Sequence, residues 1–179
     1  MDAVALRTAR LLLRPWRVDE AAVQRELWAE RDPRVPAHRR LDASGRPSVA
    51  DLAARIRAWR PEPHPGLLAI EVAATGEAIG YCGLIAWTDA AGDPVPQEAE
   101  IAYELLARAQ GRGYATEAAR AVVAASRGRY RRLWATVRAW NEPSLRVLDR
   151  LGFAPTGRVD PDADHGDSVY LALDLPRRS

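Results

Sequence analysis

The chain contains no lysine: all 26 of its strongly basic residues are arginine. A Walker-type phosphate loop ends in Gly-Lys-Ser/Thr, so that loop is excluded. Schiff-base chemistry and a lysine general base are excluded with it. A single cysteine, Cys82, rules out an internal disulfide and a cysteine-type zinc site. His38, His64 and His165 are scattered without ligand spacing, so no metal is expected. Long apolar runs are missing too. Nothing approaches the roughly 20 residues of a membrane span, and Leu11-Leu12-Leu13, bracketed by Arg10 and Arg14, is too short for a signal-peptide core. The expectation is a cytoplasmic protein with no membrane association. Charge of one sign is nearly absent: 26 arginines face 24 acids, for a net charge of +2. The high isoelectric point follows from arginine usage, not from a strong positive field, and nucleic-acid binding is not implied.

What is present fits one domain spanning residues 1–179. The chain is 47% hydrophobic and 28% charged, ordinary for a globular protein with a real core. A first strand is expected over 6–14, closed by Pro15. Asp19 is placed to cap a helix carrying Val23 and Leu27 one turn apart. Residues 31–47 read as a loop with a basic run, His38-Arg39-Arg40. Ser48 and Asp51 resemble a capping box, before a helical face of Val49, Leu52, Ile56 and Trp59. The Pro/Gly-rich run 61–66 ends that helix. Residues 67–73 and 78–87 flank Thr75-Gly76-Glu77 as a hairpin. A polar loop over 88–97 precedes a strand from Glu98.

A second half follows. Residues 133–139 alternate like a strand. Pro143 suits the first residue of a short helix with Leu145, Leu148 and Leu151 inward, ended by Gly152. Residues 153–159 and 169–175 read as a terminal hairpin around an acidic loop. The order is β-α-α-β-β-β-α-β-α-β-β: an α+β fold with a mixed, mostly antiparallel sheet of about seven strands and about four helices.

The organising stretch is Gln110-Gly111-Arg112-Gly113-Tyr114-Ala115-Thr116. It joins a strand ending near Leu105 to a helix beginning near Ala118. A glycine turn at a helix N-terminus offers free backbone N–H groups and a partial positive charge, which suits phosphate. Arg112 adds a forked cationic donor. A dinucleotide fingerprint fails because Thr116 stands where the third glycine belongs. A turn that only packs helix on sheet is the bland alternative.

The run from Gln110 to Ala115 resembles the acetyl-CoA-binding motif of the GNAT acetyltransferases, Q/R-x-x-G-x-G/A. Asn141-Glu142-Pro143-Ser144 leading to Leu151-Gly152-Phe153 resembles that family's second block. The likeness covers residues 7–175, and the branch it is most similar to holds the RimJ- and RimL-type ribosomal-protein N-terminal acetyltransferases. It implies acetyl-CoA as co-substrate, bound by Leu105, Gln110, Gly111, Arg112, Gly113, Tyr114, Ala115, Thr116, Asn141 and Ser144. It also implies a pantetheine arm lying where the strands around the motif helix splay. The acceptor would be an amine, on a small molecule or a protein N-terminus; acyl groups other than acetyl, and a homodimer, stay open.

Acyl transfer to an amine needs a neutral amine, a stabilised carbonyl oxygen and a stabilised thiolate. An α-amine, with pKa about 7.7–8.0, asks less of a base than a lysine amine near about 10.4. Glu98, Glu100 and Glu104 alternate onto one strand face. The resemblance points to Glu100, just before Ile101-Ala102-Tyr103, as general base, directly or through water, with Glu104 second. Solvated glutamates are the alternative. A backbone N–H near Leu105 is the expected oxyanion donor. Many GNAT enzymes place a tyrosine seven residues after the motif Asn; here that residue is Leu148, leaving Ser144 or a water to serve the thiolate. Of the six tryptophans, Trp16, Trp28, Trp59 and Trp87 lie on elements that border the acceptor site in this family. Arg127, Arg129, Arg131 and Arg132 read as a solvated basic cluster. A non-catalytic acyl-CoA-binding domain is the competing function, and an RNA- or ribosome-binding module is a weaker third.

Overall fold

The computed structural model describes residues 6–60 and 65–176. The first strand is split. β1 (Leu6–Arg7) and β2 (Leu11–Arg14) form a tight hairpin, with Leu6 opposite Leu13. Thr8 makes the break: its N–H donates to Leu11 O at 2.9 Å, and Leu11 N–H donates to Thr8 Oγ1 at 2.9 Å. A hydroxyl that bonds nearby backbone competes with a strand ladder. This split raises the sheet from about seven strands to eight.

Asp19 falls inside a 3-10 turn, Val18–Glu20, and does not cap; α1 (Ala21–Glu30) starts after it. α2 (Val49–Ala58) starts on the expected box: Ser48 Oγ accepts from Asp51 N–H (3.2 Å) and Asp51 Oδ2 accepts from Ser48 N–H (2.9 Å). Its buried stripe is Leu52 and Ala53, packed on Ala21 of α1 with Trp28 and Ile56 alongside. Val49, at the first helical position, is exposed instead of joining that stripe. The helix stops at Ala58, before the Pro/Gly run, of which 61–64 lie outside the described residues.

β3 (Gly66–Val72) and β4 (Glu77–Thr88) form the central hairpin. β5 (Pro94–Leu105) pairs with β4 from Gly80 opposite Leu105 out to Thr88 opposite Pro94. The polar loop expected over 88–97 is shortened to 89–93, where Asp89 N–H donates to Asp93 O, and Pro94 opens β5 opposite Thr88. Proline at the first residue of a strand costs no internal ladder bond.

α3 (Tyr114–Ser126) follows, then β6 (Arg132–Arg138), α4 (Glu142–Leu151), β7 (Ala154–Asp160) and β8 (Ser168–Asp174). The sheet order is β1-β2-β3-β4-β5-β6-β8-β7. Every neighbouring pair is antiparallel except β5 and β6, which the crossover through α3 makes parallel. One face buries Leu11, Leu13, Ile70 and Ile101 against Ala118, Ala119 and Val122 of α3 and Leu148 of α4. Arg14 is buried and bridges Glu20 and Glu71, so β2, β3 and the turn before α1 are locked by a paired cation. Removing it would leave both carboxylates to the more exposed Arg17, which is costly for largely buried charges.

Candidate functional site

The loop before α3 has the geometry of an anion seat. Gly113 is the N-cap of α3 with φ 77°, and Gly111 has φ 74°. Both values lie in the left-handed region that side chains disfavour. No heavy atom lies within 4 Å of where a Cβ on Gly111 would sit. The first intrahelical bond is Glu117 N–H to Gly113 O, at 3.0 Å. The amides of Tyr114, Ala115 and Thr116 precede it and point out of the helix end. Gln110 turns its side chain inward, donating from Nε2 to Leu105 O at 2.9 Å, and so braces the loop. Arg112 is exposed.

The β1–β2 turn clasps this loop, which the sequence did not signal. Arg10 donates from Nε to Glu117 Oε2 (2.7 Å) and from Nη1 to Arg112 O (3.1 Å), and lies 4.6 Å from the Tyr114 ring centroid. Thr8 Oγ1 donates to Glu117 Oε1 at 2.6 Å. Burial would raise the Glu117 carboxyl, but the bonds from Thr8 and Arg10 hold it below its ordinary range.

Beyond Glu100 the parallel strands part. β5 and β6 pair only at Glu98 with Arg132, Ala99 with Leu133 and Glu100 with Trp134. Past Glu100 no residue of β5 is paired with β6 among the described residues. The opening has the anion seat at one end. Its unpaired strand edge and free helix-end amides fit a ligand with amide links and phosphates, the chemistry of a CoA thioester.

The three glutamates share a face but not a state. Glu98 is buried, accepting from Trp134 Nε1 (2.5 Å) and paired with Arg131 (2.6 Å). Glu104 takes a bidentate guanidinium, Arg31 Nε (2.9 Å) and Nη2 (2.7 Å), and a bond from Tyr81 Oη (2.9 Å). Its carboxylate is committed to holding α1 on the sheet. Glu100 has a lighter load. Thr136 N–H donates to its Oε1 at 3.2 Å. Burial pushes its carboxyl above the ordinary carboxylate range, opposed by hydrogen bonds from the Thr136 side chain and backbone and by the charge of Arg39. A raised carboxyl pKa is one route to a general base.

On the opposite face of β5, Tyr103 spans to α4. Its Oη lies 2.9 Å from Ser144 Oγ and 3.1 Å from Ser144 O. Burial lifts the phenol to about 12. Asn141 caps α4, accepting Ser144 N–H at 3.3 Å; Pro143 is the second helical residue, not the first. Strand alternation put Tyr103 opposite the glutamates, but no spacing rule linked it to Ser144.

The aromatic expectations divide. Trp87 stacks on Trp134 with centroids 4.5 Å apart, beside Glu98. Trp28 lies under Arg31, 4.2 Å from its Cζ. Trp59 packs against the main core. Of the expected basic cluster, Arg131 and Arg132 are held in ion pairs with Glu98 and Asp174. Among the described residues no group of three or more His, Cys, Asp or Glu side chains is placed to hold a metal ion, and no helix is long and apolar enough to cross a membrane.

A sequence profile of the Acetyltransferase (GNAT) domain matches residues 10–154. The chain belongs to the GNAT acetyltransferases. It is 30% identical over 158 residues to an uncharacterized N-acetyltransferase, p20, of Bacillus licheniformis, covering 85% of this chain and 83% of that one. An acetyltransferase from Agrobacterium tumefaciens superposes with a TM-score of 0.69 at 27% identity, over 98% and 96% of the two chains. RimJ of Mycobacterium smegmatis, solved in complex with CoA-disulfide, shares the fold with a TM-score of 0.69 at 24% identity, over 96% and 86%. Against the GNAT pattern one departure is now placed. Leu148, at the position many GNAT enzymes give to tyrosine, is fully buried in the core. No hydroxyl reaches the opening from there.

Proposed function

We propose that the protein transfers an acetyl group from acetyl-CoA to a primary amine of a small molecule or a protein N-terminus, by direct attack on the thioester. The observation that carries this reading is the parting of β5 and β6 at Glu100, with left-handed Gly111 and Gly113 at one end of the opening. Acetyl-CoA, when bound, supplies an activated acyl thioester. The amides of Tyr114, Ala115 and Thr116 hold phosphate oxygens, and the unpaired edge of β5 orients the arm. Glu100 takes a proton from the amine, directly or through one water. A backbone N–H near Leu105 stabilises the oxygen on which charge develops; Leu106 N–H is already given to Ile79 O at 2.9 Å and is not that donor. The Tyr103 hydroxyl, paired with Ser144, holds a proton for the departing thiolate from the place where α4 begins.

The test is a panel of amines incubated with acetyl-CoA and read by free-thiol release and by mass. Transfer to at least one amine, with one acetyl gained per thiol released, is expected. The buried Leu148 favours a second reading, an acyl-CoA-binding domain without efficient chemistry. Tight CoA binding with no thiol release on any amine would select it.

A further inference from the structure

The opening between β5 and β6 is bridged on its glutamate side. At its base Thr136 N–H donates to Glu100 Oε1. Further along β5, on the same face, Glu104 holds Arg31, the residue that follows α1. Across the opening, just past the end of β6, Trp140 stands in the turn that leads to Asn141 and α4. The segment from Arg31 to Arg34 joins the two sides. The Arg34 guanidinium lies over the Trp140 ring, with its Cζ 4.0 Å from the centroid. The chain after α1 therefore crosses from β5 to the turn beyond β6, over the stretch where the strands have stopped pairing. The following turn, Ala37–Arg39, is drawn to the same place, because Arg31 Nη1 donates to Arg39 O at 2.9 Å.

Each half of this crossing is prearranged. Asp32 accepts from the N–H, Nε and Nη2 of Arg34 at 2.8, 2.9 and 2.8 Å, which orients the guanidinium before it meets the ring. Pro33 and Pro36 restrict the backbone on either side. Trp140 donates from Nε1 to His165 O at 2.8 Å, and its ring packs against Gly166, where an added Cβ would lie 2.6 Å from Cδ1. Between the halves stands a ring stack. No hydrogen bond joins Arg34 to Trp140 among the described residues, and the Arg34 side chain is 57% exposed. An exposed cation–π contact is weaker than the half-buried bidentate pair of Arg31 with Glu104. The bridge is thus anchored at Arg31 and separable at Arg34.

We propose that the Arg34–Trp140 stack is a latch across the acceptor entrance, and that these two residues set how bulky an amine can be and still reach Glu100. The proposal rests on the acyltransfer reading given above. With the stack closed, the entrance suits a primary amine on an unbranched carbon; an amine with bulk beside its nitrogen needs the stack parted. Two measurements separate the failure of the latch from that of the reading. The first needs no turnover. A water-soluble carbodiimide and glycine methyl ester are added to the protein, and amidation of Glu100 is followed by peptide mass. Glu100 lies on the face opposite Ile101 and α3, so the reagents reach it from the bridged side. Amidation should be about fivefold faster in Arg34→Ala and, from the other half, in Trp140→Leu, while the exposed Glu77 reacts as in wild type. The double variant should be no faster than the faster single one, because both changes remove the same contact. The second measurement compares primary amines with unbranched and branched carbons beside the nitrogen. Each variant should raise kcat/KM for the branched amines about fivefold relative to the unbranched ones, with the KM for acetyl-CoA unchanged. Glu100 amidation that neither variant speeds, or gains that add in the double variant, overturns the latch. Faster amidation with an unchanged ratio of branched to unbranched turnover overturns its role in acceptor choice. If no amine is acetylated, the acyltransfer reading fails, while the amidation rates still decide the latch.

Discussion

Glu100 and Thr136 face each other where β5 and β6 separate: Thr136 N–H donates to Glu100 Oε1 at 3.2 Å, and the Thr136 side chain also bonds that carboxylate. The contact fixes the carboxylate at the point where the two strands stop pairing.

The pH profile should report that carboxylate. Burial raises the Glu100 pKa, so it remains protonated to a higher pH than an ordinary glutamate. Below both relevant pKa values, kcat/KM of the wild type should fall with the square of the proton concentration, because amine and Glu100 must both be deprotonated. Glu100→Gln should fall only with the first power, and should lose about 10²–10⁴ in turnover near neutrality. Affinity for CoA should not move. Stability runs the opposite way. The neutral carboxyl is favoured by the fold below the ordinary range, and that advantage is lost as pH rises through the raised value. Glu100→Gln should thus be at least as stable as wild type at pH 7, with the difference shrinking in acid. A quadratic acid limb that survives in the variant would remove Glu100 from the reaction.

Gly113→Ala should weaken CoA at least tenfold, roughly 1.4 kcal/mol. The added methyl must adopt φ 77° and would sit 3.5 Å from Arg10 Nη2, against the clasp. Gly76→Ala is the control: it meets the same backbone strain at φ 71° in the open β3–β4 turn. Each should lose about 1–2 kcal/mol of stability, but only Gly113→Ala should lose CoA affinity by calorimetry. Equal CoA affinity in the two variants would detach the loop from phosphate binding.

Tyr103→Phe should lower kcat with little change in the KM for acetyl-CoA, because it removes the hydroxyl beside Ser144 and keeps the ring. Leu148→Tyr, which restores the tyrosine of many relatives, should not rescue it. Leu148 is fully buried, and overpacking a filled core costs about 1–3 kcal/mol. A Leu148→Tyr protein that melts like wild type and releases thiol faster would show that the hydroxyl reaches the opening after all.

The local parts of this molecule were legible in its sequence. A glycine pair before a helix announced the left-handed turn that starts α3, Ser48 and Asp51 announced the start of α2, and the leucines of α4 announced its inward face. Contacts between distant segments were not. The pairing of Arg31 with Glu104 turned one of three equivalent-looking glutamates into a strut, and Tyr103 met Ser144 across 41 positions of chain. Alternation says which face a side chain takes, but it does not say what comes to meet it. Boundaries slipped where polar residues had two options. Thr8 closed a turn inside an apolar run, and Pro94, which looks like loop, opened β5 opposite Thr88 of β4.

The charged surface and the buried Arg14 bridge are built without a single ε-amine, since every cation but histidine is a guanidinium. A guanidinium keeps its proton at any pH a cell reaches and is a poor nucleophile. In the acyl transfer proposed above, an activated thioester would lie open to any side-chain amine nearby. With arginine alone, the ion pairs would keep their charge beside that ligand, and no lysine would compete with the acceptor for the acyl group.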